Sequence, residues 1–169
     1  MAHPLRVNAI ELLRRPGSER VLDTTVTVEE LGVDDPRLDP RAEVRVNLRL
    51  DVLTDGIVVN GTLRTQWRGT CRRCAADAAG PLECDVHELY QQVITDPDAF
   101  ELGDLLDLEP MVREILLLDA PAVPLCRTEC AGLCPVCGTD RNSAPCSCDT
   151  EVSDPRWAAL DQLRDDLDH

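Results

Sequence analysis

Glu43-Val44-Arg45-Val46-Asn47-Leu48-Arg49-Leu50-Asp51-Val52 alternates without a break. Successive side chains of a β-strand point to opposite faces. Val44, Val46, Leu48, Leu50 and Val52 therefore share one face, and Arg45, Asn47, Arg49 and Asp51 share the other. A strand with one apolar and one charged face belongs to an antiparallel sheet with one side packed and one side wet. Asp55-Gly56 follows as a tight-turn signal of the kind that needs positive φ. Ile57–Trp67 then returns as a partner strand, and Gly80-Pro81 reads as a second turn before Leu82–Tyr90, which sets Leu82, Cys84 and Val86 on one face.

Working outward, Val21–Val28 is a further strand, rich in Thr and Val. Val7–Leu13 reads as a short strand or helical turn, stopped by Arg15-Pro16-Gly17-Ser18. Leu31–Arg41, with Gly32, Pro36 and Pro40, reads as a loop, and so does Thr95–Leu102. Residues 5–95 thus form an antiparallel meander. Leu108, Met111, Val112, Ile115 and Leu116 then fall at helical spacing, predicting a helix over 104–118 with Asp107 as cap and Pro110 in the first turn. Ala120-Pro121 and Val123-Pro124 end it. Ser153-Asp154-Pro155 opens a last helix that sets Trp157, Leu160, Leu163 and Leu167 on one side. The pattern predicts an α+β protein. Residues 1–119 form a meander or barrel-like sheet with a packed helix, and 120–169 a cysteine-rich metal-binding segment with a terminal helix.

Aromatic residues make up 2% of the 169 residues against 43% hydrophobic, so the core is built of Val, Leu and Ile. All 17 basic residues are Arg, and the net charge is −15. That charge is lopsided: residues 1–73 are close to neutral, while 74–169 carry nearly all of the excess acid. An acidic half repels nucleic acid and suits a basic partner. Met1–Arg15 holds three Arg and no long apolar run, unlike a signal peptide. No run of apolar residues is long enough for a membrane span. A cytoplasmic protein with reduced thiols is expected, without a membrane partner.

Six of the nine cysteines follow the pattern Cys126-x3-Cys130-x3-Cys134-x2-Cys137-x8-Cys146-x-Cys148. Four thiolates make a closed tetrahedral zinc site, and a knuckle such as Cys134-Pro135-Val136-Cys137-Gly138 supplies two of them from one turn. Gly138 supplies the positive φ that turns backbone amides toward sulfur. Cys126 and Cys130 lie one helical turn apart, and Cys146 and Cys148 can replace either pair. One zinc on four of the six, or two ions sharing thiolates, both fit. Iron in a rubredoxin-like knuckle and a set of free thiols are the alternatives. Cys71-x2-Cys74 is a candidate second site. It reads as half of a metal site borrowing Cys84 or His87, as a redox pair, or as two thiols buried in a hairpin. Arg64, Trp67, Arg68, Arg72 and Arg73 are the one basic cluster with an aromatic, a candidate RNA contact or simply a solvated strand face. His3 and His169 are terminal and His87 sits on a polar strand face. No Ser-His-Asp set, phosphate-binding glycine loop or His-Glu-x-x-His occurs, so no catalytic residue, no small-molecule substrate and no enzyme activity are expected.

Several segments, in order, resemble the YceD-type family associated with accumulation of 23S ribosomal RNA. They are Arg14-Arg15-Pro16-Gly17-Ser18, Asp55-Gly56-Ile57-Val58-Val59-Asn60-Gly61-Thr62, Gly69-Thr70-Cys71-Arg72-Arg73-Cys74 and Glu88-Leu89-Tyr90. Asp107-Leu108-Glu109-Pro110-Met111-Val112-Arg113-Glu114, the stretch Pro124 to Gly138 and Asp154-Pro155-Arg156-Trp157-Ala158-Ala159-Leu160 complete the likeness. The resemblance implies a bacterial cytosolic or plastid factor in ribosome biogenesis. Its partners would be a ribosomal RNA precursor or a basic large-subunit ribosomal protein. It also implies zinc, because some relatives carry His near positions 146 and 148, an exchange that a zinc ligand tolerates and a disulfide does not. A thiol-based redox or metal-responsive protein using Cys71 and Cys74 is the competing function.

Overall fold

In the computed structural model, which describes residues 4–149, the alternating stretch is strand β3, Glu43–Val52. Val44, Val46, Leu48, Leu50 and Val52 are all buried, and their polar neighbours face solvent. The elements before β3 are β1 (Arg6–Asn8), α1 (Ala9–Leu13) and β2 (Glu19–Thr27). After it come β4 (Gly56–Thr70), β5 (Asp77–Gln91), β6 (Phe100–Glu101), β7 (Leu105–Asp107) and α2 (Glu109–Asp119). One sheet has the order β2-β3-β4-β5-β6, and β1 pairs with β7 in a second, two-stranded sheet. The large sheet is antiparallel apart from the short parallel pair β5–β6. The fold is α+β.

The sheet is open rather than barrel-like: β2 and β6 are its two edges. Closure is unnecessary because other elements cover the apolar face. Leu5, Val7 and Ala9, the loop residues Leu31, Val33 and Leu38, and Leu106, Leu108, Met111, Val112 and Leu116 join the strand residues in one core. Arg37 ties the loop to the end of α2, donating to the carbonyls of Ala120 (2.6 Å) and Leu117 (3.1 Å) while paired with Asp35 at 2.7 Å. The guanidinium holds the Asp35 carboxyl below its usual range. The opposite face carries a polar row in which Arg49 pairs with Asp51, Asp51 accepts from Asn60, and Asn60 meets exposed His87.

Four local expectations change. Gly80-Pro81 lies inside β5, opposite Trp67 and Gln66. β5 is an edge strand there, where proline is tolerated, and Gly80 leaves room for the Trp67 indole. The true turn spans Cys71–Ala76. The Asp55-Gly56 turn lacks positive φ; Gly56 is needed because a Cβ would collide with the Tyr90 carbonyl. Phe100–Glu101 within the expected loop adds to the sheet beside Tyr90 and Gln91. The helix begins at Glu109, since Leu105–Asp107 is captured by β1; its N-cap is Leu108, not the expected Asp107, whose carboxylate one residue earlier accepts the Glu109 amide at 3.1 Å. The expected helix after Ser153 lies outside the described residues.

Candidate metal centres

β4 and β5 are the longest strands, and their shared hairpin end is the Cys71-x2-Cys74 turn. Its geometry repeats that of Cys134-x2-Cys137. The amide after the second cysteine donates back to the carbonyl of the first, Ala75 to Cys71 and Gly138 to Cys134, both at 2.9 Å. The amide of the first cysteine bonds a carbonyl five residues on, Cys71 to Ala76 (2.7 Å) and Cys134 to Thr139 (2.8 Å). Gly138 has φ 73°, and Ala75 takes φ 58° at the matching place. A left-handed alanine costs about 1–2 kcal/mol, against about 0.5–1 kcal/mol of extra chain entropy for glycine. Ala75→Gly is therefore expected to stabilise the protein by about 0.5–1 kcal/mol. A higher urea midpoint at unchanged metal content is the readout.

The eight cysteines other than Cys84 fall into two foursomes. Cys71, Cys74, Cys126 and Cys130 form a hairpin site; Cys134, Cys137, Cys146 and Cys148 form a distal site. Within each, the four Sγ atoms lie within 4.8 Å of one another. All nine cysteines are free thiols. A tetrahedron with metal–sulfur bonds of about 2.3 Å has sulfur–sulfur edges of about 3.8 Å. In the hairpin site Cys71 and Cys130 are 3.8 Å apart, and Cys74 and Cys126 are 3.7 Å apart. Each foursome thus fits one ion with no open coordination position.

The electrostatics agree. Cys71 is drawn down to about 6 by the backbone amides of Cys126 and Cys74. Cys137 is drawn to about 6 by the hydroxyl and amide of Thr139, and Cys134 is lowered by the amides of Cys137 and Val136. Burial would raise Cys130, but the Asn142 side chain and the Gly132 amide outweigh it. The remaining thiols move the other way. Burial, then Cys130, pushes Cys126 up to about 12. Cys137, then burial, does the same to Cys148. At Cys74 and Cys146 a neighbouring amide lowers the pKa, but burial and adjacent thiolates leave both raised. Two thiolates in each foursome therefore oppose the next two, and a divalent cation removes that opposition.

The spacing Cys126 to Cys148 does not reveal this division, which joins Cys126 and Cys130 to a hairpin far away in sequence. The signal available is arithmetic: Cys84 alternates with Leu82 and Val86 on the apolar strand face, which leaves two sets of four. Cys84 is indeed buried in the sheet core, its thiol pushed up to about 12 by burial and then by Asp119.

The basic candidates are mostly engaged. Arg64 pairs with Glu83 at 2.8 Å and Arg68 with Asp39 at 2.9 Å. Arg73 donates to the carbonyls of Thr128 and Cys130, both at 3.1 Å. Arg72 offers its amide to the Pro124 carbonyl, and its side chain is exposed. Trp67 points to the face of β4 opposite Arg64 and Arg68, packing on both the sheet core and the cysteine core.

Fold and thiols together define an α+β protein with two sites able to hold a metal. Residues 59–164 match the family described as large ribosomal RNA subunit accumulation protein YceD, and the chain belongs to that family. The uncharacterized protein Rv2926c of Mycobacterium tuberculosis is 31% identical over 172 residues, spanning 96% of this chain and 83% of that protein. YlbN of Bacillus subtilis is 29% identical, spanning 90% and 92%. The Arabidopsis thaliana protein named large ribosomal RNA subunit accumulation protein YCED homolog 1, chloroplastic, is 27% identical over 62 residues, 37% of this chain and 19% of that one. No solved structure matches the chain. Among the described residues no helix is long and apolar enough to cross a membrane.

Proposed function

We propose that the protein is a non-catalytic, cytoplasmic factor in large ribosomal subunit biogenesis, supporting 23S ribosomal RNA accumulation, with one structural zinc in each thiol foursome. The family match carries the reading. A closed set of four thiolates with no position for substrate suits structural zinc; iron takes the same tetrahedral sulfur set, and elemental analysis of the purified protein distinguishes the two. The partner is a ribosomal RNA precursor or a basic large-subunit protein, with no membrane and no small-molecule substrate.

A specific surface supports the basic protein. Glu88, Asp98 and Glu114 rim an open groove of about 410 Å³ floored by Phe100, Ile115 and Leu118. Leu118 is 74% exposed. The Glu88 carboxyl is raised by its burial and then by Glu114, with His87 acting in the opposite direction. Co-sedimentation with large-subunit precursors at low salt is expected, and Asp98→Arg with Glu114→Arg should weaken it about tenfold. If the purified protein never associates with precursors, the function fails; equal binding by the double variant moves the contact elsewhere.

The competing reading, a redox or metal-responsive thiol pair at Cys71 and Cys74, draws on the lowered Cys71 thiol. Absence of a Cys71–Cys74 disulfide after mild peroxide treatment of the metal-loaded protein excludes it.

A further inference from the structure

The two foursomes are neighbours tied by more than the chain. Asn142 belongs to the loop between Cys137 and Cys146, two thiols of the distal site. Its side-chain amide nevertheless donates to Cys130 Sγ of the hairpin site at 3.3 Å. Four further bonds hold it in that pose. Its Oδ1 accepts from the Ala131 amide at 2.8 Å and from Arg127 Nη2 at 2.7 Å, while its backbone N–H donates to Asp140 Oδ1 at 2.9 Å and its Nδ2 donates to the same oxygen at 2.6 Å. The loop is in turn paired to the segment between the sites, Arg141 to the Gly132 carbonyl (2.9 Å) and Cys134 to Thr139 (2.8 Å). From the other side, the Arg73 carbonyl within the first knuckle accepts the Leu133 amide at 2.9 Å, next to the distal ligand Cys134.

A hydrogen bond to a thiolate from outside the ligand set fixes its orientation and stabilises its charge, and losing such a partner typically costs about 10–100-fold in metal affinity. Here the donor for one site is positioned by the loop that the other site closes. We propose that Asn142 is a positioning residue coupling the two sites, so that the chain loads both ions together rather than independently. Metal at the distal site pins Cys137 and Cys146, orders the loop, and presents the amide to Cys130. Coupling between sites is reciprocal, so metal at the hairpin site favours the distal one by the same factor. The inference rests on the metal reading of the two foursomes.

The experiment is a zinc titration of the full chain against a competing chelator, followed by native mass spectrometry. The wild type is expected to pass from metal-free to two-zinc species with the one-zinc form scarce. Asn142→Ala is expected to accumulate the one-zinc form and to lower the affinity of one site about tenfold or more, still reaching two zinc at saturation. Asn142→Asp keeps the shape but sets a carboxylate against the Cys130 thiolate, and should weaken the hairpin site further. A second variant, Cys137→Ser, isolates the hairpin site, whose affinity should fall below its value in the wild type. One-zinc populations at the statistical level in the wild type, unmoved by Asn142→Ala, overturn the coupling while leaving two sites standing. Failure to bind zinc at all overturns the coupling and the metal reading together.

Discussion

Chelating the metal at neutral pH is expected to turn a protein with almost no reactive thiol into one with eight. With metal bound, the two foursomes would be ligated, and Cys84, 1% exposed, is shielded by the sheet core. After chelation the eight react, and the ninth only on denaturation. Order is lost with the metal, but only locally. Between Pro121 and Asp149 the buried hydrophobic side chains are Cys130 and Cys134 themselves, and around the hairpin cysteines only Ala78, Trp67 and half-buried Leu125 add apolar contact, too little to replace the ions. Structural zinc contributes on the order of 10 kcal/mol to the segment it organises. The sheet keeps its own apolar core and its strand signal in circular dichroism should persist. Acid acts in the same direction. Cys71 and Cys137 have folded values of about 6 against 9.0 for a free thiol. Their contribution is complete above about pH 9 and is lost as the pH falls through about 6. Metal release should steepen over that lower range, and alkalinisation from pH 7 to 8 should tighten binding. Unchanged thiol reactivity on chelation, or one ion per chain at saturation, contradicts the two-site arrangement.

Gly61→Ala is expected to damage the sheet more than any other single methyl group. Gly61 has φ 154°, a region closed to other residues, and pairs with Leu48 in the middle of β3. An added Cβ would strike the Asn47 carbonyl oxygen and approach Leu48 Cα to 2.9 Å. Both are backbone atoms of a strand held on its other side by β2, so neither can yield cheaply. A loss of about 3 kcal/mol or more is expected, lowering the melting temperature by about 6–12 °C for a chain of this size. Metal content per folded molecule should not change, because the foursomes lie beyond the far end of β4. Gly103→Ala, in open space without positive φ, is the control and should melt like the wild type.

Much of the sheet was legible because its signal is local. The alternation of β3 forces one face inward, and the spacing of Leu108, Met111, Val112 and Leu116 forces one helix face inward. Misread positions are those where a distant partner decides. Leu105 and Leu106 extend the helical rhythm, yet β1 supplies the hydrogen bonds that make them a strand. Gly80-Pro81 carries turn chemistry, but Trp67 across the strand needs the space. The thiol foursomes follow the same rule. Each Cys-x2-Cys knuckle is visible in sequence; that the first pairs with Cys126 and Cys130 is settled by how the loop after α2 returns to the β4–β5 hairpin, where the Arg72 amide bonds the Pro124 carbonyl.

Trp67 touches both cores, and this makes the chain its own optical gauge. An indole wedged between the hydrocarbon core and a cysteine layer whose closure is proposed to depend on metal would change its solvent shell when that layer opens. The sequence holds two tryptophans, Trp67 and Trp157. With Trp157 replaced by Phe, the emission maximum of the remaining fluorophore would read the closure of the cysteine layer directly, in dilute solution and without added dye.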